Sequence, residues 1–147
     1  MLGEEHPATA RSLNNLGSLL QAQGDLPGAR PYLERALRIN EQVLGEEHPV
    51  TATSLNNLGG LLEAMGDYTA AHPYYERALR ISETVLGAEH PDTARTLNNL
   101  GGLLQDMGDY AAARPYYERA LSINEARLGP DHPNTRIVRD NLASLDA

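Results

Sequence analysis

The sequence of 147 residues contains no cysteine, no tryptophan and no phenylalanine. Without cysteine, disulfides and thiolate chemistry are excluded, and the redox compartment is left open. Seven tyrosines supply all of the aromatic surface. A basic excess is also missing: 12 Lys and Arg face 20 Asp and Glu, for a formal charge of −8. Phosphate backbones demand a basic surface, so no nucleic acid is expected as a ligand. No run of about 18 apolar residues occurs, so no membrane span is expected. Met1 to Glu5 lack the basic and apolar regions of a leader, and a cytoplasmic setting is the expectation. β-Branched residues are sparse, whereas Leu, Ala, Glu, Arg and Gln are good helix formers. That balance predicts an all-α fold. The length suits a single domain, 1–147, and 41% hydrophobic residues suffice for a core.

What the chain does have is repetition. His6-Pro7, His48-Pro49, His90-Pro91 and His132-Pro133 recur every 42 residues. Leu13-Asn14-Asn15-Leu16-Gly17 returns at 55–59 and at 97–101. With units at 3–44, 45–86 and 87–128, the first and second share 30 of 42 residues, and so do the second and third. A fourth unit starts at Gly129 and stops after one helix, over 133–145.

Each unit reads as two helices. The first opens at Pro7, where a missing N–H costs nothing. Ala10, Leu13, Leu16, Gly17 and Leu20 share one face of it. At Gly24-Asp25 the helix ends, Gly suiting the left-handed C′ position and Asp capping the next helix. The second helix covers about Leu26 to Leu44, with Ala29, Tyr32, Leu33, Ala36, Leu37, Ile39, Val43 and Leu44 on a wide packing arc. Arg30, Glu34, Arg38 and Glu41 form a solvated stripe. Pro31, Pro73 and Pro115 interrupt the pattern about six residues in, and predict a bend or a frayed first turn but not a helix end, because the apolar period continues past them. The last helix differs: Arg139 replaces the core leucine and Arg136 the repeat alanine, as a solubilising cap requires. The first unit has no comparable cap. An excised or engineered piece of a longer array is the expectation, and head-to-tail self-association through the uncapped hairpin follows from it.

The His-Pro starts, the Leu-Asn-Asn-Leu-Gly runs, Gly66-Asp67-Tyr68 and Gly108-Asp109-Tyr110, and Pro-Tyr-Tyr-Glu-Arg-Ala-Leu at 73–79 and 115–121 resemble tetratricopeptide repeats, specifically the 42-residue variety of the kinesin light chain. The resemblance spans the whole chain. It implies a right-handed α-solenoid of three helix-turn-helix repeats plus a C-terminal capping helix. It also implies a scaffold for protein–protein interaction, in which first helices line a concave groove that binds an extended peptide. The alternative is a designed or recently amplified structural repeat protein with no dedicated ligand.

Opposite the core face of the first helices lie Arg11, Asn15 and Ser18, then Thr53, Asn57 and Gly60, then Arg95, Asn99 and Gly102. Asn14, Asn56 and Asn98 flank that line, and Asn141 extends it. A carboxamide offers both a donor and an acceptor, so an asparagine ladder can bond an extended backbone without demanding a sequence. The resemblance implies the same contact. Glycines 60 and 102 leave room between rungs. The clamp that related proteins use for a C-terminal carboxylate is matched only at Asn57 and Arg95, so that ligand is not expected.

The remaining motifs read as structural. The four repeated histidines sit one per unit in separate loops, whereas zinc needs three or four convergent ligands. No metal or other cofactor is expected, and the histidines order the turn before proline. Glu4-Glu5 and Glu46-Glu47 precede helix N-termini, where negative charge is favourable. The tyrosines fall on packing faces. No phosphate-cradling loop, nucleophile elbow or convergent acid–base set is present, so an enzyme is not expected.

Overall fold

The structure is a computed structural model and describes residues 5–147. Glu4, the start of the first repeat at residue 3, and the uncapped Met1-Leu2 lie outside the described residues. Those that are described form seven helices joined by short turns, with no strand among them: α1 (Pro7–Ala22), α2 (Leu26–Val43), α3 (Pro49–Ala64), α4 (Tyr68–Ile81), α5 (Pro91–Asp106), α6 (Tyr110–Arg127) and α7 (Pro133–Ser144). A π-helical turn, Ser82–Leu86, follows α4. The chain divides into two compact units, one ending at Ile81 and the other running Ser82–Ala147. In the first, α1 packs on α2 and α3 on α4, while α2 also packs on α3. In the second, α5 packs on α6 and α6 on α7.

Every first helix begins in the same way. His6, His48, His90 and His132 are N-cap residues in extended conformation, followed by proline. Each imidazole Nδ1 accepts the N–H two residues on, from Ala8, Val50, Asp92 and Asn134, at 3.0 to 3.1 Å. One of the donors left orphaned at the helix start is thereby satisfied. The turn within each hairpin uses glycine at positive φ, as at Gly24 (88°), Gly66 (81°) and Gly108 (84°). The aspartate after it caps the second helix. Asp25 Oδ1 accepts from Gly28 N–H at 3.0 Å, and Asp109 Oδ1 from Ala112 N–H at 3.1 Å.

The prolines do not stop the second helices. α2 runs unbroken through Pro31, and its first turn is capped rather than frayed. One lost intrahelical bond close to a capped end is a local defect that the packing beyond it outweighs. The expected second helix of the middle repeat changes instead at its other end, where it passes into the π-helical turn Ser82–Leu86, although the closing bond from Gly87 N–H to the Ser82 carbonyl at 2.9 Å has counterparts from Gly45 to Asn40 and from Gly129 to Asn124.

Close approach within each hairpin depends on one glycine per first helix. An added Cβ at Gly59 would lie 2.8 Å from the Tyr75 ring, and at Gly101 2.7 Å from that of Tyr117. Both rings are buried. Their hydroxyls donate to Glu63 Oε1 at 2.9 Å and to Gln105 Oε1 at 2.8 Å. The expected core includes three residues that the structure exposes. Leu16 is 39% exposed, although its counterparts Leu58 and Leu100 are 2% and 0% exposed. Among the described residues no helix precedes α1 to cover that face. Tyr32 and Val43, at the edges of the arc on α2, are also exposed, because no described element covers those edges.

Candidate functional site

Helix geometry turns Arg11, Asn14, Asn15 and Ser18 of α1 and Thr53 and Asn57 of α3 toward a common space. All six line a groove of about 590 Å³ in the first unit. Pro7, Ala8, Leu44 and Val50 supply its apolar part, and His48 also borders it. No Asp or Glu lines it, in a chain with a net charge of −8. Arg11 is its only permanent charge and is exposed. Asn15 and Ser18 are exposed, and Asn57 is half-buried. The Thr53 hydroxyl donates to the Pro49 carbonyl at 3.4 Å within its own helix.

A smaller groove of about 220 Å³ occupies the corresponding place in the second unit. It holds Arg95 and Asn98, along with Asn124, Ile137 and Val138. Asn141 is already engaged there: its Nδ2 donates to Asn98 Oδ1 at 3.0 Å. Asn56, Gly60, Asn99 and Gly102 are half-buried and line neither groove. Gly60 and Gly102 have a further neighbour, since an added Cβ would meet the hydroxyl of Tyr75 or Tyr117 at 3.5 and 3.6 Å.

One groove residue escapes a reading of the first helices alone. Asn40 comes from the end of α2 and is 1% exposed, and it lines the groove while Ser54 of α3 is buried behind it. Ser54 Oγ accepts from Asn40 Nδ2 at 2.8 Å and from Asn14 Nδ2 at 3.1 Å. The signal was a polar residue recurring within an apolar stripe: Asn40, Ser82 and Asn124 each follow a buried or packed isoleucine. Position 54 carries Thr96 and Val138 in later repeats. That variation changes the hydrogen bonding from one unit to the other.

The outer surface is ionic. Arg30 pairs with Glu34 at 3.5 Å within α2. Glu41 receives Arg77 of α4 at 2.9 Å, and the repeat-related pair Glu83–Arg119 closes at 3.0 Å. Glu47 faces Arg80 at 3.6 Å. His72 lies on the same surface, 3.1 Å from Glu76. Among the described residues no three His, Asp or Glu side chains converge as metal ligands would, and no helix is long and apolar enough to cross a membrane. Arg136 and Arg139 of α7 are exposed, and Arg139 donates to the Pro130 carbonyl at 3.0 Å.

Comparison with known proteins agrees with this architecture. A family model described as tetratricopeptide repeat matches residues 8–84, 51–126 and 92–147. No curated protein matches the chain. Among solved structures, BtubC from P. vanneervenii is 27% identical with a TM-score of 0.85, over 95% of this chain and 56% of that one. The nearly identical, kinesin light chain-like TPR repeats from Podosopora anserina are 27% identical with a TM-score of 0.79, over 99% of this chain and 69% of that one. The N-terminal domain of stress-induced protein-1 from C. elegans, 16% identical with a TM-score of 0.67 over 96% of this chain and 97% of that one, shares the fold alone. The chain thus spans little more than half the length of BtubC.

Proposed function

Because the chain belongs to the tetratricopeptide repeat family, whose members generally serve as protein–protein interaction scaffolds, we propose that it holds an extended segment of a partner protein along the groove lined by its first helices. The observation that carries this reading is the first-unit groove of about 590 Å³, lined by Arg11, Asn14, Asn15, Ser18, Thr53 and Asn57 and free of acidic side chains. Carboxamides there offer both donors and acceptors to a peptide backbone. Asn99 and Asn141 hold the equivalent sequence positions in the second unit. The partner is a protein or peptide and not a nucleic acid, in keeping with the charge of −8. No catalytic role and no cofactor belong to the proposal, and its setting is the cytoplasm.

The near-identity of the repeats, 30 of 42 residues between neighbours, favours a second reading. Recent copying or design preserves any residue, so a structural array without a dedicated ligand is the competing function. One experiment separates the two. Peptides are selected from a random display library against the intact chain, and their affinity is measured for the Asn15→Ala/Asn57→Ala double variant. Loss of two hydrogen bonds predicts binding weaker by about tenfold or more, with an unchanged helical melt. Failure to select any binder, or equal affinity for the variant, overturns the groove reading.

A further inference from the structure

The two carboxamides that meet at Ser54 are each only half satisfied. Asn14 and Asn40 both donate through Nδ2 to the single Ser54 Oγ. A hydroxyl oxygen has two lone pairs, so this pair fills its accepting capacity. The Oδ1 of each asparagine is buried and has no hydrogen-bond partner. Buried acceptors without a partner are rare, and each asks for an explanation. These two belong to residues that line the groove of about 590 Å³, and Asn40 itself is 1% exposed.

The second unit shows that the repeat does not require this arrangement. Val138 stands where Ser54 stands, and Asn98 Oδ1 accepts from Asn141 Nδ2. Of the two asparagines at these positions, Asn124 alone keeps a buried Oδ1 without a partner, beside the smaller groove. Two open acceptors joined through one serine are therefore a feature of the first unit, where the groove is larger.

The chemistry of the site selects its occupant. Two carbonyl oxygens need N–H or O–H donors; an ionised carboxylate or an ester offers none, and a hydroxyl side chain brings a single hydrogen. An ammonium would find no carboxylate in the lining to offset its charge, while Arg11 lies in the same groove. A main-chain amide brings a single hydrogen. A primary carboxamide is neutral and carries two hydrogens on one nitrogen, one for each oxygen. We propose that Asn14, Ser54 and Asn40 form a subsite for a neutral primary carboxamide, the side chain of a Gln or Asn in a bound peptide. Shielding from water strengthens hydrogen bonds formed there. Entry requires the Asn14 side chain to turn, and that residue is half-buried with one hydrogen bond to Ser54. The peptide-groove reading is needed only to place this ligand on a partner, and the subsite itself is testable with a free amide.

The probe is acetamide, titrated into the intact chain labelled at its asparagine side chains, with N,N-dimethylacetamide as the matched compound that has no N–H. Saturable shifts of the Asn14 and Asn40 carboxamide resonances are expected with acetamide. The dimethyl compound is expected to bind about tenfold or more weakly, the worth of the two hydrogen bonds it cannot make. Asn124 is expected to respond less than Asn40. Equal response to both compounds, or no response at either asparagine, overturns the proposal. In Asn14→Ala, the Asn40 response is expected to need about fivefold or more acetamide to saturate while the helical spectrum persists, and an unchanged affinity also overturns it. The wild-type titration decides the question even if that variant fails to fold. A selected peptide that binds equally well with Gln replaced by Ala at every position counts against the subsite and leaves the groove reading intact. An acetamide response without any peptide binder does the reverse.

Discussion

Gly59 and Gly60 are adjacent in α3 and have opposite reasons to be glycine. An added Cβ at Gly59 falls 2.8 Å from the Tyr75 ring, closer than any side-chain carbon sits. The ring is buried and its hydroxyl is tied to Glu63, so it has little freedom to retreat. Overpacking of this kind costs about 1–3 kcal/mol, more than the gain of up to about 1 kcal/mol that alanine brings to a helix interior. Gly59→Ala is expected to lower the midpoint of urea unfolding. At Gly60 the added carbon would sit 3.5 Å from the Tyr75 hydroxyl, in ordinary contact. There the helix propensity term wins, and Gly60→Ala is expected to raise stability by about 0.5–1 kcal/mol. The first repeat already carries Ser18 at that position. Equal effects of the two substitutions would show that ring contact is not what selects glycine at 59. The same pair marks how far a residue-level reading reaches. Periodicity puts Gly17, Gly59 and Gly101 on the packing face. It does not reveal that a leucine faces the first and a tyrosine the other two, because that contact lies across the hairpin.

The helices were legible at their ends and less so along their faces. His-Pro marked every first-helix start, and Gly-Asp every hairpin turn, because each signal is local: a cap, a fixed φ, a left-handed residue. The mode of action of histidine was not legible. Its Nδ1 accepts the N–H two residues on, a role usually given to Ser, Thr, Asp or Asn. His48→Ala is therefore expected to destabilise the chain by about 1 kcal/mol, and His48→Asp to retain most of the stability because a carboxylate accepts at the same position. Thermal melts of the two variants check this. Equal losses would mean that the imidazole ring packs rather than caps. At Pro31 the apolar period was the better guide, since it runs on past the proline and so does α2, whose first turn is capped by Asp25 and not frayed. The candidate groove was half legible. Arg11, Asn15, Ser18 and Asn57 followed from the wheel of the first helix. Asn40 did not, because it arrives from the end of a different helix on an otherwise apolar stripe.

At the scale of the molecule, one repeat position acquires different energetics in different repeats. Leu16, Leu58 and Leu100 occupy the same place in nearly identical repeats, and the sequence pattern assigns all three to the core. Leu16 is 39% exposed, while Leu58 is 2% exposed because α2 packs on α3 within the same unit. Each hairpin of such an array is stabilised by its neighbours as well as by its own contacts. A truncation that leaves a cavity in a packed interface costs about 2–5 kcal/mol for a leucine. A leucine already in contact with water leaves no such cavity. Leu58→Ala is thus expected to cost several times more stability than Leu16→Ala, with Leu19→Ala resembling the latter, since Leu19 is exposed where Leu61 and Leu103 are buried. Urea titrations of the intact chain report both midpoints under one set of conditions. If Leu16→Ala proved as damaging as Leu58→Ala, the α1 face would be covered in solution by another surface. A change of unfolding midpoint with protein concentration would then identify that surface as a second copy of the chain.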